Sequence, residues 1–357
     1  MGIPARYGGF ETCVEEISTR LAKKGHEVIV YCGYKGSKPQ METYKDIQLN
    51  HIPCLKSKFL DFPFRAFVSA VDVLHRKVDI AHFYGSDAWP FVILPRLISI
   101  QTVLSLDGLV WNRRSYPSWV RNILRSTAGF ALYTPKITTV DSRSVQNWYH
   151  KNYSKPPIYV PYGANIDQTE PDEEYLRKLG LKKGRYILFV GRLVHEKGVH
   201  HLVKAFGKTR TDFKLAIVGS DPYSKEYESL LRTIANENTL FLGYIYGKRC
   251  QDLFKGAYLY VTPSELEGTS PALLTAMAHG KCVLVSDIPE NMETVGKVGF
   301  FFKHGDAQNL QNKLQFLLSN PEIVEKTGLK AIEHIRANYN WDKITDMLER
   351  IYFSIVR

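Results

Sequence analysis

The run of residues 263–287, PSELEGTSPALLTAMAHGKCVLVSD, constrains the fold more than any other part of the chain. Residues 258–262 before it are apolar, aromatic and β-branched, which predicts a strand that the proline ends. Thr269–Pro271 offers a capping hydroxyl and an early helical proline, and Gly280 predicts the end of the helix that they start. Residues 281–286 predict a second strand. Because the two strands are joined through a helix, we expect them to run parallel.

The start of this helix is a predicted binding place for an anion. The first turn of a helix leaves backbone N–H groups unpaired and carries the positive end of the helix dipole. Glu267 lies in the loop just before the helix, where a carboxylate can accept hydrogen bonds from sugar hydroxyls while the N–H groups hold a phosphate. The loop therefore favours a ligand that carries both hydroxyls and phosphate.

The rest of the second half repeats the alternation of strand and helix. Residues 186–190 predict a strand, the glycine-bounded loop 191–198 leads into a helix that ends near Lys208, and residues 213–218 predict the next strand. Alternation of this kind is typical of an α/β protein with doubly wound parallel sheets, whose ligands bind at the carboxyl ends of the strands. We expect two Rossmann-like domains that face each other across a cleft.

The predicted domains cover residues 1–167 and 168–338, and residues 339–357 form a terminal helix that packs back on the first domain. The first half opens with a glycine loop at 2–11, followed by a helix and a strand at 27–32. A parallel α/β unit normally has a strand before such a loop. Either the open reading frame lacks this first strand, or the sheet is built without it.

Composition favours a cytoplasmic protein. No stretch approaches the roughly 18 apolar residues of a membrane span, and no secretory leader is evident. The five cysteines form no CxxC pair, which argues against both a zinc ribbon and a disulfide framework. The net charge is +11, and residues 1–170 carry 21 of the 47 Lys and Arg but only 14 of the 36 Asp and Glu.

Two basic aromatic segments of the first half indicate where a membrane can be bound. They are a predicted helix over residues 64–77, preceded by Phe59 and Phe62, and the segment 111–125. Each is either a core helix with a solvated face or a helix that lies on an anionic membrane surface. We expect peripheral association with the inner membrane face. A nucleic-acid partner is not expected, because no nucleic-acid-reading motif accompanies the charge.

A cluster of histidines raises the question of a metal. His195 and Glu196 are followed by His200 and His201, but a zinc-protease helix needs HExxH and position 199 is Val. The chain also contains no Asp-x-Asp, which removes the usual carboxylate pair for a metal-bound nucleotide diphosphate. We therefore expect no metal.

Without a metal, a diphosphate must be neutralised by fixed cations and N–H groups. Arg192 and Lys197 meet that need, since they lie on a glycine-bounded loop after a strand; the alternative is two solvated loop cations. Asp107 before Gly108 is either a catalytic group or an ordinary turn.

Several of these motifs resemble the retaining GT-B glycosyltransferases of the large family that includes sucrose synthases and bacterial mannosyltransferases. Residues 190–198 are similar to its GRLxxEKG loop, and 263–287 resemble PSxxEGxxxxLLEAMAxGxPVVxSD. Residues 161–167 resemble the turn into its interdomain linker. Residues 2–12 and 107–111 look more narrowly like a bacterial subgroup often labelled rhamnosyltransferases of surface-polysaccharide assembly.

The resemblance implies a role for each matching residue. Arg192 and Lys197 would bind the donor diphosphate and stabilise its developing charge, and Glu267 would hold hydroxyls of the donor sugar. The backbone groups that would assist with the diphosphate belong to Gly8, Gly9, Gly268, Thr269 and Ser270. The backbone of Gly243, Tyr244 and Ile245 would hold the base.

Two positions depart from the family pattern. Asp107 lies where many relatives have a histidine that faces the donor sugar, and it would take that catalytic place here. Thr275 lies where relatives have a second glutamate that grips the ribose hydroxyls. Losing a charged hydrogen bond there would weaken nucleotide binding by roughly 1.5–3 kcal/mol.

The implied reaction is metal-independent transfer of a hexosyl group with retention, without a cofactor. The donor would be a UDP-, GDP- or dTDP-sugar, and the acceptor a saccharide, lipid-linked in surface-polysaccharide synthesis. The alternatives are a GT-B binding or scaffold protein that has lost turnover, which Thr275 and the absent first strand favour, and a nucleotide-sugar epimerase.

Overall fold

The computed structural model describes residues 2–5, 8–37, 39–57, 60–106, 108–112, 117–221 and 225–356. The chain divides into two compact units. The first contains the described residues up to Tyr162 together with the C-terminal segment from Trp341, and the second contains Gly163–Asn340.

The first unit contains both strands and helices. Its strands are β1 (Ile29–Tyr34), β2 (Thr43–Tyr44), β3 (Ile47–Pro53), β4 (Ile80–Tyr84), β5 (Gln101–Leu106), β6 (Ile137–Val140) and β7 (Ile158–Tyr159). Its helices are α1 (Gly9–Lys23), α2 (Asp61–Val73), α3 (Trp89–Leu97), α4 (Ser118–Ser126), α5 (Ala128–Tyr133), α6 (Arg143–Asn152) and the terminal helix, numbered α15 in chain order (Trp341–Val356).

The first unit is built on two sheets. One has the order β1-β3-β2 and the other β4-β5-β6-β7. Within the described residues, β1 pairs only with β3 and β4 only with β5, and no strand precedes α1. The described strands of this unit therefore form two separately hydrogen-bonded sheets.

The terminal helix packs against α1 within the first unit. Arg20 on α1 pairs with Asp342 at 2.7 Å, and Lys24 pairs with Asp346 at 2.6 Å. Deeper in the same layer, the hydroxyl of Tyr352 lies 2.6 Å from a ring nitrogen of His82 on β4. Surface charge pairs and a partly buried polar contact therefore hold α15 on this unit.

The second unit contains a six-stranded sheet. Its strands are β8 (Tyr186–Val190), β9 (Lys214–Val218), β10 (Thr239–Gly243), β11 (Leu259–Thr262), β12 (Cys282–Ser286) and β13 (Phe300–Phe302). Its helices are α7 (Glu173–Lys178), α8 (Val199–Gly207), α9 (Lys225–Ile234), α10 (Lys248–Gly256), α11 (Pro271–Ala278), α12 (Pro289–Val295), α13 (Ala307–Leu318) and α14 (Pro321–Asn338).

Every neighbouring pair in this sheet is parallel, in the order β10-β9-β8-β11-β12-β13. All residues of β11 and β12 are buried, as expected for a parallel sheet covered by helices on both faces. The predicted parallel pairing of the strands on either side of α11 is confirmed, and β8 lies directly beside β11.

Two local predictions need correction. Ser270 occupies the N-cap position of α11, but the described contacts include no capping hydrogen bond from its side chain, so the fixed φ of Pro271 is the feature that starts this helix. The helix predicted over 64–77 begins earlier and ends earlier, at Asp61 and Val73. Among the described residues, no helix has both the length and the apolar composition needed to cross a bilayer.

Candidate functional site

The candidate site lies at the carboxyl edge of the second unit's sheet, where the loops after β8 and β11 meet. The N–H of Glu265 donates to the carbonyl oxygen of Glu196 at 2.8 Å, which ties the two loops together. Gly198 adopts a left-handed φ of 62°, and a Cβ at this position would lie 2.1 Å from the carbonyl oxygen of Pro263. Only glycine allows this close approach.

The two loops bring Lys197 and Glu267 into contact. The Lys197 ammonium pairs with Oε1 of Glu267, and their side chains are only 20% and 7% exposed. Ser264 donates from Oγ to the same carboxylate oxygen at 2.7 Å. The carboxylate is therefore held from two sides, and the largely buried lysine is aimed at the loop before α11.

A chain of buried polar groups stands behind this pair. The hydroxyl of Ser264 lies 3.1 Å from that of Thr262, and its carbonyl oxygen accepts from the hydroxyl of Ser286 on β12. Asn291 on α12 in turn donates to Ser286 Oγ at 2.9 Å. No sequence motif marks these positions; the available signal was serine and threonine at the ends of otherwise apolar strands.

Arg192 lies on the loop after β8 and is about half exposed. Its Nη1 is 3.9 Å from Oδ2 of Asp221, a nearly buried carboxylate after β9. The loops after these two strands pack backbone to backbone, because a Cβ on Gly219 would lie 1.9 Å from the carbonyl oxygen of Gly191. Arg192 is thus an accessible cation at the same edge as Lys197, and Asp221 is a partner that the sequence motif did not reveal.

The start of α11 offers backbone donors at this edge. The N–H groups of Ala272 and Leu273 precede the first bond of the helix, from the N–H of Leu274 to the carbonyl oxygen of Ser270. Thr269 and Ser270 are buried, and Gly268 is partly exposed. These N–H groups lie ahead of the helix's own hydrogen bonds, and anion binding here stays a prediction.

Thr275 lies on the second turn of α11. Its hydroxyl donates to the carbonyl oxygen of Pro271 at 2.8 Å, and the residue is partly buried. The donor proton is thus used within the helix, and the oxygen lone pairs are what the side chain can offer to a ligand.

Residues 243–245 lie at the carboxyl end of β10, an edge strand of the sheet. Gly243 has a φ of 67°, and its carbonyl oxygen accepts from the N–H of Gly219 at 2.8 Å. The side chain of Tyr244 is 49% exposed. The backbone here lies at the same edge as the β8 loop, two strands along the sheet order.

The remaining predicted residues do not lie in the second unit. Gly8, with a φ of 90°, is the N-cap of α1, and Gly9 is the first residue of that helix, both in the first unit. Asp107 lies outside the residues that the structure describes. The structure therefore brings together the predicted residues of the β8 and β11 loops.

Comparison with known families covers nearly the whole chain. The model described as Glycosyltransferase Family 4 matches residues 7–168, and the model described as Glycosyl transferases group 1 matches residues 171–334. Together with the parallel α/β fold, these two matches define the class as a glycosyltransferase. The chain belongs to the group 1 glycosyltransferases, and it is a glycosyltransferase enzyme.

Relatives support the family along the full length. The N-acetyl-alpha-D-glucosaminyl L-malate synthase of Bacillus anthracis is 25% identical over 378 residues, covering 98% of this chain and 95% of that protein. A D-rhamnosyltransferase of Pseudomonas aeruginosa is 25% identical over 279 residues, 72% of this chain and 69% of that protein. The structure of Anabaena HepE in complex with UDP and glucose has a TM-score of 0.83 and 17% identity, covering 98% and 97%. At that identity the structural likeness establishes the GT-B fold.

Proposed function

We propose that the enzyme transfers a hexosyl group from a nucleotide-sugar to a saccharide acceptor, with retention and without a metal on the donor diphosphate. The observation that carries the proposal is the contact between Lys197 and Glu267 at the strand ends, with the exposed Arg192 on the same loop as Lys197. A nucleotide-sugar presents a diphosphate next to sugar hydroxyls, which is the ligand chemistry that two cations and a carboxylate fit. The HepE complex with UDP and glucose supports this class of donor.

In the proposed reaction, the bond between the sugar carbon and the diphosphate oxygen breaks as the acceptor hydroxyl attacks the same face. The acceptor proton passes to the leaving phosphate. Arg192 and Lys197 stabilise the negative charge that develops on the diphosphate, and the N–H groups at the start of α11 add fixed dipoles. Glu267 holds sugar hydroxyls, and Asp107 remains a proposed catalytic group of the first unit.

The proposed nucleotide contacts are the backbone of residues 243–245 for the base and Thr275 near the ribose. Because the Thr275 hydroxyl already donates within α11, it offers less to two ribose hydroxyls than a carboxylate does. We expect nucleotide affinity that rests mainly on the diphosphate and the base.

The proposed acceptor is lipid-linked, and the first unit carries a surface that suits an anionic membrane. The neighbouring helices α2 to α5 and their connections expose large apolar side chains: Leu60, Phe67, Ile93, Leu97, Ile98, Trp119, Ile123, Phe130 and Tyr133. On α4, Trp119 is 68% and Ile123 52% exposed, with Arg121 and Arg125 on the same short helix. Aromatic and basic side chains together bind anionic interfaces. Residues 58–59 and 113–116 of the predicted segments lie outside the described part of the chain.

The activity test is a panel of UDP-, GDP- and dTDP-sugars assayed for transfer and for donor hydrolysis, with the anomeric configuration of the product read by NMR. Lys197→Met and Arg192→Met should each lower kcat/KM by roughly 10- to 150-fold, the value of a lost charged hydrogen bond. Lys204→Met, an exposed cation on α8, is the matched control. Folded protein that processes no donor would instead support the scaffold alternative, and an isomerised donor without acceptor would support the epimerase.

The membrane proposal has a separate test. Vesicles with anionic lipid should retain the protein at low salt. The double variant Trp119→Ser with Ile123→Ser should weaken retention at least tenfold, because burial of each apolar side chain contributes about 1.5–3 kcal/mol to binding. Leu329→Ser, at a 61% exposed position of the second unit, should leave retention unchanged. Wild-type protein that stays in solution at low salt refutes the membrane contact.

A further inference from the structure

Three potential metal ligands converge beside the candidate site. His200 and His201 lie in the first turn of α8, and Glu265 lies in the loop after β11. One ligand atom from each of the three side chains lies within 4.8 Å of the other two, and all three side chains are partly exposed. Nε2 of His201 is 3.1 Å from Oε1 of Glu265.

The geometry points to a binding site for a divalent transition-metal ion, such as Zn²⁺, at His200, His201 and Glu265. Two imidazoles and one carboxylate are a ligand set that Zn²⁺, Co²⁺ and Ni²⁺ accept, with water in the remaining positions. The partial exposure of the three side chains gives an ion a path from solvent. The site is not part of the proposed diphosphate contacts, which use Arg192 and Lys197.

A buried tyrosine orients one of the two imidazoles. Nδ1 of His200 lies 2.8 Å from the hydroxyl of Tyr227 on α9, and the backbone N–H of His200 donates to the same hydroxyl at 3.2 Å. Tyr227 is only 6% exposed. A hydrogen bond to one ring nitrogen is the usual way in which proteins fix the orientation and tautomer of a histidine ligand.

A bound ion would join the two loops of the candidate site a second time. The backbone already links them through the N–H of Glu265 and the carbonyl oxygen of Glu196. A metal held by His201 and Glu265 would replace their present side-chain contact with coordination bonds two residues from Glu267. We therefore expect metal binding to rigidify the segment that carries Glu267.

The sequence pattern alone hid this site. His195 and Glu196 suggest HExxH, which fails at position 199, and the carboxylate that completes the histidine pair is Glu265, 64 positions from His201. Only the pairing of β8 with β11 brings them together.

The test titrates the protein with Co²⁺ and follows its visible d–d absorption, then displaces Co²⁺ with Zn²⁺. We expect one saturable site per chain, with His201→Gln and Glu265→Gln each binding at least tenfold more weakly. His304→Gln is the matched control. His304 also contacts a carboxylate, Asp287 Oδ1 at 2.9 Å, but neither residue belongs to the group of three potential ligands found among the described residues. Its affinity should equal that of the wild type.

The titration needs no donor or acceptor, so its outcome is independent of the proposed transferase reaction. Circular dichroism checks that each variant is folded, and His200→Gln replaces any variant that is not. Absence of saturable binding at micromolar protein overturns the proposal. So does wild-type affinity in folded His201→Gln and Glu265→Gln, because the ion would then bind elsewhere.

Discussion

Lowering the pH should reduce the free energy of unfolding of the first unit, because the fold holds His82 neutral. Its Nδ1 lies 2.6 Å from the hydroxyl of Tyr352 on α15, and its Nε2 lies 2.8 Å from Ser105 Oγ on β5. The chain of contacts continues to Thr139 on β6, whose hydroxyl is 2.7 Å from that of Ser105. Burial lowers the pKa of His82 from 6.5 to about 3.

The sign follows from which state binds the proton. In the unfolded chain the imidazole takes up a proton as the pH falls below about 6.5, whereas in the folded unit it does so only near pH 3. The unfolded state therefore binds more protons across this window, so the free energy of unfolding decreases as the pH is lowered. At about 1.36 kcal/mol per unit of pKa difference, the loss between neutral pH and pH 5 is at most about 2 kcal/mol. It is an upper bound because the ring borders a small pocket that can admit water.

Tryptophan fluorescence measures this unit selectively. All five tryptophans, at positions 89, 111, 119, 148 and 341, belong to the first unit. Urea unfolding at pH 7 and pH 5 should show that His82→Gln, which keeps a hydrogen-bonding side chain, loses up to about 2 kcal/mol less than the wild type on acidification. The control is His75→Gln, at an exposed position. Equal acid losses in wild type and His82→Gln would refute the reasoning.

Three further predictions concern the second unit and are measured by hydrogen exchange or thermal unfolding. Glu267→Ala should cost about 1–3 kcal/mol because it leaves the largely buried Lys197 unpaired, and the double variant with Lys197→Ala should cost less than the sum of the single changes. Gly198→Ala should destabilise the unit by several kcal/mol, roughly 3, because its Cβ would clash with Pro263. Burial lowers the pKa of Lys281 from 10.5 to about 8, so the unfolded chain binds more protons between these two pH values. The free energy of unfolding should therefore increase as the pH rises from 8 to 10.5. Lys281→Met should stabilise the unit at pH 7 by about 1–2 kcal/mol, because it removes a buried charge.

Much of the second unit could be predicted from sequence because its signals are local and mutually consistent. Residues 258–262 and 281–286 are apolar runs bounded by proline and glycine, and the structure makes them the buried parallel strands β11 and β12. The loop 191–198 follows β8 as expected. Where the prediction failed, at Ser270, the residue type allowed a cap but the backbone did not use its hydroxyl.

The contacts that complete the candidate site could not be predicted in the same way. Ser264, Ser286 and Asn291 become one hydrogen-bonded chain only because β11 and β12 are neighbours in the sheet. Glu265 reaches His201 only because β8 lies on the other side of β11. Strand order is a property of the whole unit, and no local pattern of residue types specifies it.

Under the proposed function, the contact between Lys197 and Glu267 implies an exchange of partners when a donor binds. A diphosphate that approaches Lys197 must compete with Glu267, and the carboxylate that it displaces is then available for sugar hydroxyls. Ser264 can hold the carboxylate during this exchange, because it donates to the same oxygen from a fully buried position.

Under the proposed function, this exchange predicts that one substitution has opposite effects on diphosphate binding and on sugar transfer. Glu267→Gln should bind a nucleoside diphosphate alone several-fold more tightly than the wild type, because a neutral amide competes less for Lys197. The same variant should transfer sugar at least tenfold more slowly, since an amide cannot accept charged hydrogen bonds from the hydroxyls. Calorimetry with the diphosphate and steady-state transfer with the nucleotide-sugar measure the two effects. If diphosphate affinity and the transfer rate both fall, Glu267 supports the loop without competing for the lysine.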